Sequence, residues 1–385
     1  MRKLLALAGG VMSHHDGILT INLHAIARNW LALNRKVGDA QCAAVVKANA
    51  YGLGMVPVAR CLAQVGCTTF FVATVDEAIE LREGLGEAPD IVVLGGVRPG
   101  REPALVANGI WPSLFSVEAI ARWQRATTAA DRSAPCVVKV NTGMTRLGLE
   151  LSELATYVAS PLAQQLDVRH FMSHLACADE PAHPLNHEQL AQYQTGAALA
   201  AAVWPQALLS FANSSGIFLG PQWHQQLVRP GAALYGVNPT PGQPNPMEPV
   251  VSLRLPVIQY RRLTSPAAVG YSATATCQPG QRLAVVLGGY ADGLQRQLSS
   301  RGEGVFAGCR VPLVGRVSMD ATIFDVSEVP EQELPPIGEA YIEVLNRELT
   351  VNLVASHMNT IGYEVLTSLG SRYQREYVEL GGLPS

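Results

Sequence analysis

A chain of 385 residues exceeds the size at which one hydrophobic core stops growing, so two domains are the default, one of them large enough to be a barrel. With 48% hydrophobic and 15% charged residues it reads as a core-rich globular enzyme, and its net charge of −3 leaves no electrostatic footprint for nucleic acid. Seven scattered cysteines without a CxxC pair argue against a disulfide framework or a zinc site and fit a reducing, cytoplasmic compartment.

Residues 1–16 read as an N-terminal extension. Met1-Arg2-Lys3 gives it a basic start, but Gly9 and Gly10 interrupt a very short apolar stretch, which argues against a signal peptide. No apolar run approaches the roughly 18 residues of a membrane span, so no membrane partner is expected. From residue 17, strand-like runs alternate with helical patterns. The strand candidates are Ala43–Lys47, Thr69–Ala73, Ile91–Gly95, Ile110–Phe115, Cys136–Val140, Val168–Ser173, Ala207–Ala212 and Val228–Gly236. Between them lie the helical candidates Val56–Val65, Asp76–Glu83, Val117–Ala129 and His187–Val203. This alternation predicts a TIM-like (β/α)8 barrel over 17–240. An open doubly wound sheet is the alternative, but no G-x-G-x-x-G opens a helix after a strand.

The Pro-rich stretch Asn238–Pro246 marks a domain boundary. Beyond it, short runs at Val251–Ile258, Leu283–Leu287, Gly304–Val311 and Tyr341–Val344 predict a mostly β domain over 241–385, closed by a helical piece from Val351 toward Ser371.

A barrel places its active site at the C-terminal ends of its strands, so the polar residues there are read together. Lys47 follows an apolar run and precedes the glycine-punctuated turn Ala48–Gly54. Desolvation there would lower its pKa and make the amine a nucleophile suited to a Schiff base. Taken alone, a lysine snorkelling from a strand end to water is the simpler reading. Lys139 and Asn141 share one face of the fifth strand, and Arg146 follows where a guanidinium fork could hold an anionic group. The sixth strand ends at Ser173-His174, the seventh at Asn213-Ser214-Ser215, and the eighth carries Arg229-Pro230-Gly231-Ala232. Small residues at the ends of strands seven and eight suit a phosphate site.

In this order, AVVKANAYGLG, KVNTGMTRLG, SHLACADE, ANSSG, RPGAALYG, GYSATAT, GYADG, GRVSMD and TIGYE resemble the alanine racemase family, a fold-type III group dependent on pyridoxal 5′-phosphate (PLP). The resemblance implies that Lys47 holds PLP and acts as one base, with Tyr271 as a second base on the opposite face. Tyr51, Asn213, Ser214, Gly231, Ala232 and Tyr363 would complete the phosphate site. Arg229 would face the pyridine nitrogen, with His174 beside the ring. Arg146 and the Met319 backbone would hold the carboxylate of alanine, Arg316 and His174 would support Tyr271 as a base, and Lys139, Tyr290 and Asp320 would be further supporting residues. The resemblance also implies a homodimer with shared active sites, Tyr271 and Met319 crossing the interface. The lysine matching Lys139 often carries a carbamate in that family, an ion pair with a carboxylate being the alternative here. Asn141 stands where many relatives have Asp, and the tail Ser368–Tyr373 lacks a proline common in the family. The expected reaction interconverts L- and D-alanine, for peptidoglycan supply or catabolism. A serine or broader-range racemase, a PLP-dependent decarboxylase and a non-catalytic PLP-binding protein are the alternatives.

Overall fold

The computed structural model describes residues 17–379, so the expected extension 1–16 lies outside it. The described chain divides into two compact units, residues 22–250 and residues 17–21 joined to 251–378.

The first unit is built on nine parallel strand segments. Gln41–Cys42 pairs with Leu227–Val228, while Ala44–Val45 pairs with Thr69–Val72. These two short segments are halves of one strand interrupted at Ala43, whose own amide donates to Val228 O at 3.0 Å. Nine segments therefore make eight strands, and that shared strand closes the ring. Asp90–Val93, Trp111–Leu114, Pro135–Lys139, Asp167–Met172 and Leu208–Ser210 complete it in sequence order. Strands buried on both faces need no polar alternation, which is why Thr69–Val72 and Trp111–Leu114 are buried throughout. This is the expected (β/α)8 barrel.

Its helices begin where side chains satisfy the first amides. Thr74 and Glu77 form a capping box at Val75–Leu85, and Ser116 accepts from Ala119 at the start of Val117–Ala129. Pro184 opens the long helix Pro184–Ala201, three residues before the expected start at His187. The eighth strand departs further from expectation. It ends at Val228, because Pro230 supplies no amide and the chain turns at Gly231 into the short 3-10 turn Ala232–Tyr235.

The second unit is an antiparallel sheet organised on the long strand Val251–Arg262, which pairs with Ile18–Asn22, Tyr341–Leu345 and Arg282–Leu287. The expected run Gly304–Val311 is a hairpin of Glu303–Phe306 and Cys309–Pro312. Ala307 and Gly308, both at positive φ (47° and 76°), make the kind of turn whose twist matches the flanking strands. Ala321–Asp325 and Gln374–Val378 are strands that the sequence patterns did not single out, and the helices Val351–Met358 and Gly362–Thr367 lie between the sheet strands in sequence.

Two domain limits also differ from expectation. The barrel was expected to begin at residue 17, but Leu19 and Ile21 are fully buried in the second unit's sheet, in register with Leu253 and Val251. The break expected at 240/241 falls at 250/251. The Pro-rich stretch stays with the barrel because Asn245 donates to Gly236 O at 2.9 Å and Glu248 is clasped by Arg28 and by the buried Asn29.

Candidate active site

The first barrel strand ends one residue earlier than its apolar run suggests, and Lys47 opens an unusual turn. Ala48, Asn49, Ala50 and Tyr51 follow one another at φ of 52°, 54°, 53° and 55°. Each such L-residue costs roughly 1–2 kcal/mol, so four in a row persist only because surrounding contacts fix them. Ala50 and Gly52 donate back to Val46 O and Ala48 O, both at 2.8 Å, and Asn49 Oδ1 accepts from the Met55 amide at 2.8 Å. The Ala48 amide donates to Glu77 Oε1 at 2.7 Å. The result throws Lys47 and Tyr51 to defined places at the barrel mouth. Lys47 is half-buried, and its amine is held below the usual lysine pKa by desolvation and by the Arg146 charge, with Glu77 pulling the other way.

Tyr51 meets the residues expected at the ends of strands seven and eight. Ser214 Oγ accepts from the Gly231 and Ala233 amides at 3.0 and 3.2 Å. A Cβ on Gly231 would lie 2.4 Å from the Tyr51 hydroxyl, so only glycine lets that hydroxyl approach the backbone this closely. Tyr235 packs its ring 4.8 Å from that of Tyr51 and donates its hydroxyl to Val45 O at 2.9 Å. A serine hydroxyl, a tyrosine hydroxyl and the start of the turn at Ala232 thus converge, as a phosphate requires. Asn213 contributes otherwise: its side chain accepts from Gly216 and donates to Leu175 O, so it shapes the loop.

Arg229 lies buried in the barrel. One terminal nitrogen donates to Ser210 Oγ and the other to Ser173 O at 2.5 Å, an arrangement that fixes the guanidinium plane. Burial lowers its pKa to about 10, still protonated at neutral pH. Lys139 is 7% exposed, and burial together with Arg229, Arg146 and Lys47 lowers its amine to about 8. His174 is held well below its usual pKa by burial, by the same three cations and by Lys139, so its ring is neutral. The charges that shift Lys139 and His174 are all positive, so the mouth carries a positive field.

Arg146 is exposed on a loop that the backbone closes between Lys139 and Leu149. Asn141 organises that loop. Its Oδ1 accepts from Gly143 and Thr145 at 3.1 and 3.0 Å, and its Nδ2 donates to Glu150 Oε1 at 2.7 Å. Lys139, Asn141, Met144, Arg146, Ser173 and His174 line one cleft. Behind it the buried Gln189 bridges Thr142 Oγ1 and His174 O. Gln189, Glu77, Ser210 and Tyr235 are contributors that the sequence motifs did not single out. Tyr235 stood inside RPGAALYG, yet nothing local distinguished it from a core aromatic.

The remaining predicted residues belong to the second unit. Tyr271 is 68% exposed, Met319 52%, Tyr290 41% and Tyr363 37%. The turn at Tyr290 is tied to the Met319 loop by Tyr290 N–H to Ser318 O and Ala291 N–H to Met319 O, both at 3.0 Å. Gly270, next to Tyr271, packs against the Arg316 backbone. Asp320 accepts from Arg372 at 2.8 Å, and the same guanidinium grips the fully buried Asp292 through two bonds of 2.6 and 2.7 Å.

Barrel and site together define a (β/α)8-barrel enzyme whose rim gathers Lys47, Lys139, Arg146 and Arg229. The chain belongs to the alanine racemase family, matching its N-terminal domain over residues 21–239 and its C-terminal domain over 250–377. It is 47% identical over 372 residues to alanine racemase of Rhodospirillum rubrum, covering 95% of this chain and 98% of that protein. It is 45% identical over 362 residues to a catabolic alanine racemase of Mesorhizobium japonicum, covering 94% and 93%. Among solved structures, alanine racemase from Bartonella henselae with covalently bound pyridoxal phosphate superposes with a TM-score of 0.88 at 38% identity, covering 94% of this chain and 100% of that one.

Proposed function

We propose that this chain is a PLP-dependent racemase interconverting L- and D-alanine, with Lys47 and Tyr271 as its two bases. The observation that carries this reading is the cradle at Gly231. The Tyr51 hydroxyl, Ser214 and the turn at Ala232 converge where the lack of a side chain at Gly231 lets them approach, on the same barrel rim as the depressed amine of Lys47.

PLP, when bound, withdraws electrons from the α-carbon of the amino acid and so acidifies its α-hydrogen. The chain's own residues would do the rest. Tyr51, Ser214 and the Gly231–Ala232 backbone would hold the phosphate, and the fixed, protonated Arg229 would face the ring nitrogen and leave it unprotonated. That limits electron withdrawal and restrains side reactions. Arg146, in the loop set by Asn141, takes the substrate carboxylate. Lys47 Nζ takes or returns the α-proton on one face, and the Tyr271 hydroxyl does so on the other, since one base cannot serve both. A bulky Tyr363 at the site would exclude longer side chains, which suits alanine.

Tyr271, Tyr290 and Met319 expose aromatic and apolar surface in the single chain, which supports a homodimer in which each active site borrows Tyr271 of the partner subunit. Lys139, with an amine near pH 8 among cations alone, reacts as a neutral amine with carbon dioxide, losing a proton to give a carbamate whose charge complements Arg146. Because the two enantiomers have equal free energy, the physiological direction follows whichever one is supplied.

Co-expression of K47A and Y271F chains tests the shared site. Each homodimer should be inactive, and K47A should also lose the visible absorbance of lysine-bound PLP. The mixed dimer keeps one intact site, restoring about a quarter of wild-type activity under random pairing. Racemisation by K47A alone, or an inactive mixture with proven hybrid dimers, would refute the reading.

A further inference from the structure

The turn that carries Lys47 is fixed at three places. Asn49 Oδ1 holds its far end through the Met55 amide, Tyr51 packs on Tyr235, and Glu77 holds the amide of Ala48, directly after Lys47. Glu77 belongs to the next strand-helix unit. Its Oε1 accepts from Ala48 at 2.7 Å, and its Oε2 accepts from Ala73 at 2.8 Å and Thr74 at 3.2 Å. One carboxylate therefore ties the loop after the first barrel strand to the loop after the second.

A glutamate three residues after a threonine cap has an ordinary task, completing the capping box with Thr74. That task accounts for the Thr74 amide. It does not account for the Ala73 amide, nor for the shorter bond to Ala48 across the loops. Without Glu77, the exposed Ala48 amide would pair with mobile water in place of a fixed carboxylate, at the first residue of a left-handed run.

We propose that Glu77 is a positioning residue for Lys47, clamping the left-handed turn so that the amine returns to one place each time it leaves and rejoins the cofactor. This rests on the reading of Lys47 as cofactor lysine and base. A flexible four-carbon stem has many rotamers, and a backbone fixed at both flanks removes the largest source of error in where the amine arrives. The Glu77 charge also offsets part of what burial and Arg146 do to the amine, favouring its protonated form when it must return a proton.

The test compares holoenzymes of wild type, E77Q, E77D and T74A. Gln keeps the size of Glu but turns a donor toward the Ala73 and Thr74 amides or toward Ala48. Asp keeps the charge and falls short of Ala48. T74A weakens the same helix start without touching the Ala48 bond. For E77Q, kcat for alanine should fall about tenfold, the scale of one charge-assisted hydrogen bond, with KM within about twofold. The isotope effect from α-deuterated alanine should rise, and amide exchange over residues 46–53 should quicken. E77D should raise the isotope effect and the exchange in the same way. T74A should lower thermal stability while leaving kcat, isotope effect and exchange over 46–53 at wild-type values. A wild-type isotope effect and exchange rate in both Glu77 variants would overturn the proposal, as would a T74A enzyme equally impaired at equal loss of stability. Retention of the visible PLP absorbance in E77Q separates these outcomes from failure of the Lys47 reading, which K47A tests alone.

Discussion

Replacing Lys139 by methionine should stabilise the protein, although the residue lies in the candidate active site. Lys139 is 7% exposed, and its amine is lowered from 10.5 to about 8 by burial and by Arg229, Arg146 and Lys47. Below pH 8 the folded protein must carry that proton against its surroundings, while the unfolded chain carries it freely. At 1.36 kcal/mol per pH unit, the gap corresponds to about 3 kcal/mol. Between pH 8 and 10.5 the unfolded chain binds more protons than the folded one, so wild-type stability rises with pH through that window. Lys139→Met should therefore gain about 3 kcal/mol at pH 7 in carbon dioxide-free buffer, and the gain should shrink to near zero above pH 10.5. Urea unfolding of PLP-saturated protein, followed by tryptophan fluorescence at both pH values, measures it. Bicarbonate should stabilise wild type at pH 7 and close the gap, with the added mass on Lys139, because a carbamate replaces a cation by an anion. No gain at pH 7, or a gain unchanged at pH 10.5, would refute the reasoning.

Two further outcomes follow from distances in the barrel unit. Gly231→Ala sets a methyl 2.4 Å from the Tyr51 hydroxyl and 3.3 Å from Val45 Cβ. The overpacking costs about 1–3 kcal/mol, so PLP dissociation, measured by equilibrium dialysis, should increase tenfold or more, and an unchanged affinity would place the phosphate elsewhere. Asn141→Asp sets a carboxylate 2.7 Å from Glu150 in place of a donor, which loosens the Arg146 loop. KM for alanine should rise roughly three- to tenfold with kcat nearly unchanged, the signature of lost uniform binding. A fall in kcat at constant KM would show that the loop acts on the chemical step instead.

The barrel was legible because its strands are buried on both faces and so appear as apolar runs at regular spacing. Thr69–Val72 and Val117–Ala129 match their expected limits almost residue for residue. The expected strand Val228–Gly236 was too long because an apolar run does not reveal where Pro230 stops it. Ile18–Asn22 carries the alternation of a strand but no sign of its partner, which lies more than 200 residues away. Asn141 looked like the loss of a carboxylate beside Lys139 and Arg146. In the structure it is a loop organiser paired to Glu150, a role that depends on a residue nine positions on.

The sequence by itself determined the alternation of elements, the motifs and the identity of Lys47, Arg229 and Gly231, because burial period and steric minimum are local properties of a chain. Tertiary structure alone decided how those residues act. The clamp from Glu77 on the turn Ala48–Tyr51 and the crowding of Lys139 by three cations arise from groups on different strand-helix units. Fields and hydrogen bonds depend on separation in space, and ring closure brings together residues that the chain keeps far apart.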